Sequence, residues 1–271
     1  HQMVLITGAE AMATGRKIVK SGQKIPWNIP SDSDPDFLYA VPEMWNEHER
    51  LHGIWQASHV YPLFENALRH HLNRSIEDHQ LAMGTLFSRL SEVAVRSPHA
   101  WFPVRRSPED IAWPSESNRY VGWPYTKYMN AMNQINQSAS VLLTSVGHAR
   151  SLGIDPSRWV FLHGCADVTE IWDVTQRVNY HSAPAISILG RESLAMARIN
   201  IEDITHIDLY SCFPSAVAIA CRELGIPEDD PRDLTVTGGL AFHGGAGNNY
   251  VMNSIAAMAD QLREDPGTYG L

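Results

Sequence analysis

The stretch at residues 237–250, TGGLAFHGGAGNNY, constrains this chain more than any other. Five glycines fall between residues 237 and 247, directly before an apolar, helix-like run at residues 251–262. Glycine has no Cβ, so it takes positive φ and lets the backbone approach a neighbour closely. The helix that follows offers free N–H groups at its first turn to a carbonyl or oxyanion. Spacing alone admits two readings, a set of tight turns or a cradle for a ligand.

The rest of the chain reads as alternating strands and helices. Residues 4–9 form a short apolar run of the kind that makes a buried strand. Residues 15–42 are polar and rich in Pro, Ser and Asp, and read as loop. In residues 42–65, Trp45, Leu51, Ile54 and Trp55 trace a helix face. Residues 63–73 and 75–95 are predicted helices, the second with Leu81, Leu86, Leu90 and Val93 near helical period. Residues 97–124 are irregular, because Pro98, Pro103, Pro108 and Pro114 block any long helix. Strands are predicted at 138–146, 159–163 and 207–210. Helices are predicted from 146 to 152, at 184–199 and at 214–224, the last opening on Pro214. Such alternation implies a largely parallel sheet with helices on its faces.

Bulk properties narrow the partners. At 271 residues with a hydrophobic share of 44%, the chain can bury a sizeable core. The formal charge of −9, with no Lys/Arg cluster, argues against a nucleic-acid partner. No apolar run approaches the ~20 residues of a membrane span. Cys165, Cys212 and Cys221 show neither paired nor metal-type spacing, which points to a reducing, cytoplasmic compartment and to no metal site.

Four segments carry a family resemblance. The glycine-rich stretch is similar to the active-site loop of thiolases, GG-x-x-x-x-GHP-x-G. Residues 207–213, IDLYSCF, resemble the thiolase NEAF segment, or the HDCF segment of sterol-carrier-protein thiolases. Residues 118–127, NRYVGWPYTK, are similar to the segment leading out of the thiolase loop domain, and residues 4–12, VLITGAEAM, to the strand and turn VLVGGAESM. Residues 136–140, NQSAS, stand in place of the DGAAAVLL start. The resemblance, to the sterol-carrier-protein-thiolase branch, implies the layered α/β/α/β/α thiolase fold, incomplete at both ends. Residues 1–13 and 134–155 would belong to the N-terminal half, 14–133 to an inserted loop domain, and 156–271 to a C-terminal half truncated before its last strands. The family's nucleophilic cysteine precedes the VLVGGAESM strand, and its second cysteine, in a CxG motif, follows the last helix. Neither position falls within this sequence. The resemblance also implies acyl-CoA as ligand, with coenzyme A as substrate carrier and no other cofactor. It further implies a homodimer, with a further subunit as an added possibility.

Thiolase chemistry needs a thiolate nucleophile, a histidine to activate it, a second acid/base group, and donors for the enolate and tetrahedral oxyanions. Aligning Gly238-Gly239 with the family's paired glycines puts Gly245 where the GHP histidine belongs. His243 lies two positions earlier, either as a displaced catalytic histidine or as a loop histidine. Tyr210 takes the place of the family's Asn or His. Its hydroxyl can serve an oxyanion, or the ring can simply close a strand end. The resemblance to steroid-side-chain aldolases, which carry YDCF here, adds a lyase reading for Tyr210, although Ser211 replaces their aspartate. Cys212 reads as a packed thiol and Cys165, in HGCAD, as part of a structural loop. Gly238, Gly239, Gly244 and Gly245 are the expected substrate-contacting glycines, and Arg105-Arg106 a candidate pair for CoA phosphates. Three functions follow: an acyl-CoA binder with weak or no thiolase turnover, a lyase cleaving a β-hydroxyacyl-CoA with a partner subunit, or a non-catalytic scaffold.

Overall fold

The computed structural model describes residues 2–27 and 45–271. The chain opens with strand β1 (Met3–Ala11) and helix α1 (Met12–Lys20). Helices α2 (Glu47–Leu51), α3 (Ala57–His71), α4 (Ile76–Arg96) and α5 (Pro108–Ala112) follow. Short strands β2 (Tyr120–Gly122) and β3 (Tyr125–Thr126) lead to β4 (Asn136–Thr144) and α6 (Val146–Ser151). The second half holds α7 (Pro184–Ala197), β5 (Ile204–His206), α8 (Pro214–Leu224) and the four-residue α9 (Gly239–Phe242). It ends with α10 (Tyr250–Glu264) and β6 (Tyr269–Gly270).

Local chemistry explains the long elements. Ser75 accepts from the Asp78 amide at the start of α4, and Glu77 and Asp78 sit at the positive end of its dipole. The helix stops at Ser97, the residue before Pro98, where the α conformation is disfavoured. Helix α8 starts on Pro214, whose missing N–H costs nothing in the first turn. It ends on Gly225 at φ +73°, a left-handed cap.

The core is built around α4. Met83, Phe87, Leu90 and Ala94 of α4 share one buried cluster with Ile111, Tyr125, Phe213, Val217, Leu240, Phe242 and Tyr250. That cluster joins the expected loop segment to the C-terminal part, so the two stabilise each other through common apolar burial. Beneath it runs a buried polar network. Glu65 accepts from His79 at 2.7 Å and from the Tyr125 hydroxyl at 2.9 Å, and Tyr125 also meets Ser215 at 2.9 Å. These bonds satisfy polar groups that would otherwise be costly to bury.

Several expectations need correction. Residues up to 20 of the supposed loop at 15–42 belong to α1, and residues 28–42 lie outside the described ones, as does the start of the 42–65 reading. Residues 159–163 form no strand among the described residues, and Phe161 and Leu162 are exposed. The strand placed at 207–210 falls at β5, three residues earlier. Residues 208 and 209 still bond across extended chain, to the carbonyls of Leu271 and Leu234. No large parallel sheet forms among the described residues: β1 pairs with β4 and β2 with β3, both antiparallel, and only β5 pairs with β6 in parallel. Strand β1 is not buried either. Val4, Leu5 and Ile6 are exposed, because among the described residues β4 is its only strand neighbour. A run of apolar residues reports the capacity to be buried on both faces, and the cover itself is a tertiary matter.

Gly84 sits where α4 crosses α5. A Cβ there would collide with the Pro108 carbonyl oxygen and come within 2.9 Å of Ala112 Cβ. Helix propensity favours alanine by ~1 kcal/mol, but overpacking costs roughly 1–3 kcal/mol, and the collision wins because its partner is backbone. Gly84→Ala is therefore expected to lower the thermal midpoint by about 3–6 °C in calorimetry.

Candidate active site

Asp208, just after β5, organises the site. Its carboxylate accepts from the Thr235 hydroxyl at 2.7 Å, from the Val236 amide at 2.8 Å and from the Ser254 hydroxyl. Burial pushes the Asp208 carboxyl above its ordinary range, against the pull of these donors. Thr235 in turn accepts from the amides of Thr237, Gly238 and Gly239, each at 3.1 Å. The Thr237 hydroxyl meets the Tyr250 hydroxyl at 2.7 Å and takes a second bond from the Gly239 amide. The Leu240 amide donates to Ser211 at 3.1 Å.

These bonds decide what the glycines do. Gly238 and Gly239 adopt φ of +105° and +73°. A Cβ on the first would lie 2.5 Å from Ala94, and on the second 2.7 Å from Leu90. Their freedom is used to pack the turn onto α4, and their amides are engaged by threonine hydroxyls. Gly244 lies against Ile135 and Gln137, and Gly245 against Ala131 and Asn133, with the Gly245 amide bonded to the Met132 carbonyl. The close approach expected of this loop is thus made to neighbouring protein.

His243 is the residue this packing presents. It is 2% exposed, and neither ring nitrogen has a hydrogen-bond partner among the described residues. Its backbone is held by the Trp101 amide and the Gln137 side chain, both at 3.0 Å to its carbonyl oxygen. Burial, and then the proximity of His99, pull the imidazole down to about 4, with the Thr237 backbone opposing weakly. It is therefore neutral at pH 7, able to donate from one nitrogen and accept at the other. His243 is one of the residues around a cleft of about 340 Å³, with His99, Trp101, Asn136, Gln137, Asn253 and Asp260 among the others. Buried polar groups are almost always paired, so an unpartnered buried imidazole in a residue beside a cleft marks a candidate for ligand chemistry.

Tyr210 also packs against Tyr250. Both Tyr210 and His243 meet the buried Tyr250 ring edge-on, at centroid distances of 5.6 and 6.0 Å. Tyr210 is 48% exposed and its hydroxyl makes no hydrogen bond among the described residues. Burial and the nearby Cys212 push its hydroxyl upward, so it stays protonated at neutral pH and acts as a donor. The other candidates lie elsewhere. Arg105 is exposed, 3.9 Å from Glu92, while the Arg106 guanidinium stacks 3.7 Å over Tyr128. Neither borders the cleft. Burial raises the Cys212 thiol and takes Cys221 up to about 12, which suits packed thiols. Cys165 is exposed. No group of acidic, histidine or cysteine side chains fit to hold a metal occurs among the described residues. Among the described residues, no helix is long and apolar enough to cross a membrane. Asp208, Thr235 and Tyr250 escaped the sequence reading. Only the placement of Asp208 just before Tyr210 hinted at them.

The depressed imidazole has a consequence for stability. Unfolded, His243 titrates near its ordinary 6.5, and folded it is held at about 4. Protonation then favours the unfolded chain. Stability is intact above 6.5, falls as the pH drops toward about 4, and levels off below. At about pH 5 the cost is about 2 kcal/mol. His243→Gln should abolish that increment in urea unfolding at about pH 5 relative to pH 7, and equal pH slopes for the two proteins would refute the assignment.

Neither a protein-family model nor a curated protein matches the chain. Among solved structures it is similar to a monomeric SCP2-thiolase like protein type 1 (STLP1) from Mycobacterium smegmatis. Identity is 36% and the TM-score 0.83, covering 100% of this chain and 52% of that one. This chain therefore spans about half the length of that relative. It is also similar in fold to the Ltp2-ChsH2(DUF35) aldolase, at 18% identity and a TM-score of 0.61, over 81% of this chain and 60% of that chain. The likeness to STLP1 covers the whole chain, and the chain accordingly belongs to the thiolase-like superfamily, with the SCP2-thiolase-like proteins.

Proposed function

We propose that this chain is a thiolase-like acyl-CoA-binding protein with little or no thiolase turnover of its own. The observation that carries the reading is the buried, unpartnered His243 beside a cleft of mixed polar and apolar lining. A neutral imidazole there donates to the carbonyl oxygen of an acyl thioester and stabilises negative charge developing on it. The cysteines support the second half of the reading. Cys212 and Cys221 are buried with raised thiols, and neither lines the cleft, so neither is suited to covalent acyl transfer. Arg105 and Arg106, although they do not border the cleft, are the proposed contacts for the CoA phosphates beyond it, and a homodimer in the cytoplasm is the proposed setting.

Calorimetric titration with acetyl-CoA tests this. Binding is expected, with His243→Ala weakening it about tenfold, or about 1.4 kcal/mol. An absence of heat at ~1 mM ligand would replace the reading with that of a non-catalytic scaffold.

The half-exposed, unbonded Tyr210 hydroxyl supports a second reading, a lyase acting on a β-hydroxyacyl-CoA with a partner subunit. The likeness in fold to the Ltp2-ChsH2(DUF35) aldolase points the same way. In such a cleavage the β-hydroxyl loses its proton and the Cα–Cβ bond breaks to release a carbonyl compound. The electron pair passes into a thioester enolate, which is then protonated at Cα. The raised hydroxyl of Tyr210 suits the final, proton-donating role. Tyr210→Phe is expected to slow such cleavage by roughly 10²–10⁴-fold, and undiminished activity in that variant would eliminate the lyase reading.

A further inference from the structure

A strap of irregular chain crosses α3 and α8 far along the sequence from the cleft segments. It runs from a single 3-10 turn (Val174–Gln176) to Ala183, the residue before α7. Glu49 holds its start, accepting from the Thr175 amide and hydroxyl at 2.7 and 2.8 Å. Glu223 of α8 holds its end, accepting from the Ala183 amide at 2.8 Å. Between them Tyr180 packs edge-on against Phe64 at 5.5 Å, and the Arg177 guanidinium lies 5.4 Å over the same ring. The strap thus covers the flank of α3 that carries Phe64 and Tyr61. Tyr61 stacks on Phe213 at 4.3 Å, in the segment that presents Tyr210.

One contact in this strap depends on protonation by geometry. His181 of the strap stacks on His71, the last residue of α3, at 4.1 Å and an interplanar angle of 12°. The Arg222 guanidinium of α8 lies 3.1 Å from His71 Nε2. Arginine only donates, so Nε2 must accept, and His71 must be neutral with its proton on Nδ1. Protonating His71 removes that acceptor and places a cation between Arg222 and His181. Partial desolvation of this exposed residue, then His181 of the strap, Arg222 of α8 and His70 of α3, all basic groups facing it, favour the neutral form of His71. The nearby carboxylate of Glu223 is turned to the Ala183 amide.

We propose that His71, His181 and Arg222 form a pH-sensitive clasp that holds the strap against α3 and α8 at neutral pH and releases it on acidification. Release uncovers Phe64 and the flank of Tyr61, on the Tyr210 side of the molecule. The clasp does not depend on which ligand the cleft holds.

Amide hydrogen exchange of Thr175 and Ala183, corrected for the intrinsic effect of pH on exchange, tests the clasp. Protection of the strap should fall at least about tenfold between about pH 7.5 and about pH 5, while that of α4 stays constant. His71→Gln keeps an acceptor for Arg222 and cannot be protonated, so its strap protection should vary less than about twofold over the same range. In the unaltered protein, the ring-proton NMR shifts of His71 should titrate with the same midpoint as the loss of protection. Protection that is independent of pH, an equal fall in His71→Gln, or a His71 titration that does not coincide with release would each overturn the proposal.

Discussion

The close packing of the Gly238-Gly239 turn onto α4 is the constraint on which the site depends. Any side chain at either position would strike Ala94 or Leu90, so the turn seats only as glycine. Once seated, its amides fall on the hydroxyls of Thr235 and Thr237, and those hydroxyls connect to Asp208 and Tyr250. Desolvation makes such a network all-or-none, because each buried donor left without a partner costs roughly 1–3 kcal/mol. The position of His243, four residues past Gly239 and bonded to its carbonyl, follows from this seating.

Tyr250 links the packing to the candidate site. Its hydroxyl is spent inside the network, and its ring packs against both His243 and Tyr210. One of the two is a buried imidazole held neutral, the other a surface hydroxyl held protonated. Two donors with no thiolate beside them suit the stabilisation of thioester charge better than nucleophilic attack.

Much of the helical architecture was legible because its signals are local. Ser75 and the acidic first turn of α4, Pro214 and Gly225 at the ends of α8, and the apolar run of α10 all act within a few residues of themselves. The strands were less legible. Residues 159–163 and 207–210 carry strand-like composition, yet a strand exists only where a partner lies alongside, and partner choice is nonlocal. The fate of β1 shows the same limit, since an apolar run cannot state whether another layer will cover it.

By itself the sequence determined that a glycine-rich turn precedes α10 and that the family is that of the thiolases, and it offered Tyr210 and His243 as the candidate residues near that turn. Composition and short motifs suffice for these, because they rest on which residue types are present and in what order. Only the tertiary structure decided that the glycine amides are engaged by Thr235 and Thr237, that Cys212 is packed away, and that His243 is buried without a partner while Tyr210 reaches solvent. Burial and hydrogen-bond satisfaction are properties of surroundings assembled from distant segments, here α4, β4 and α10, and no stretch of sequence contains its own surroundings.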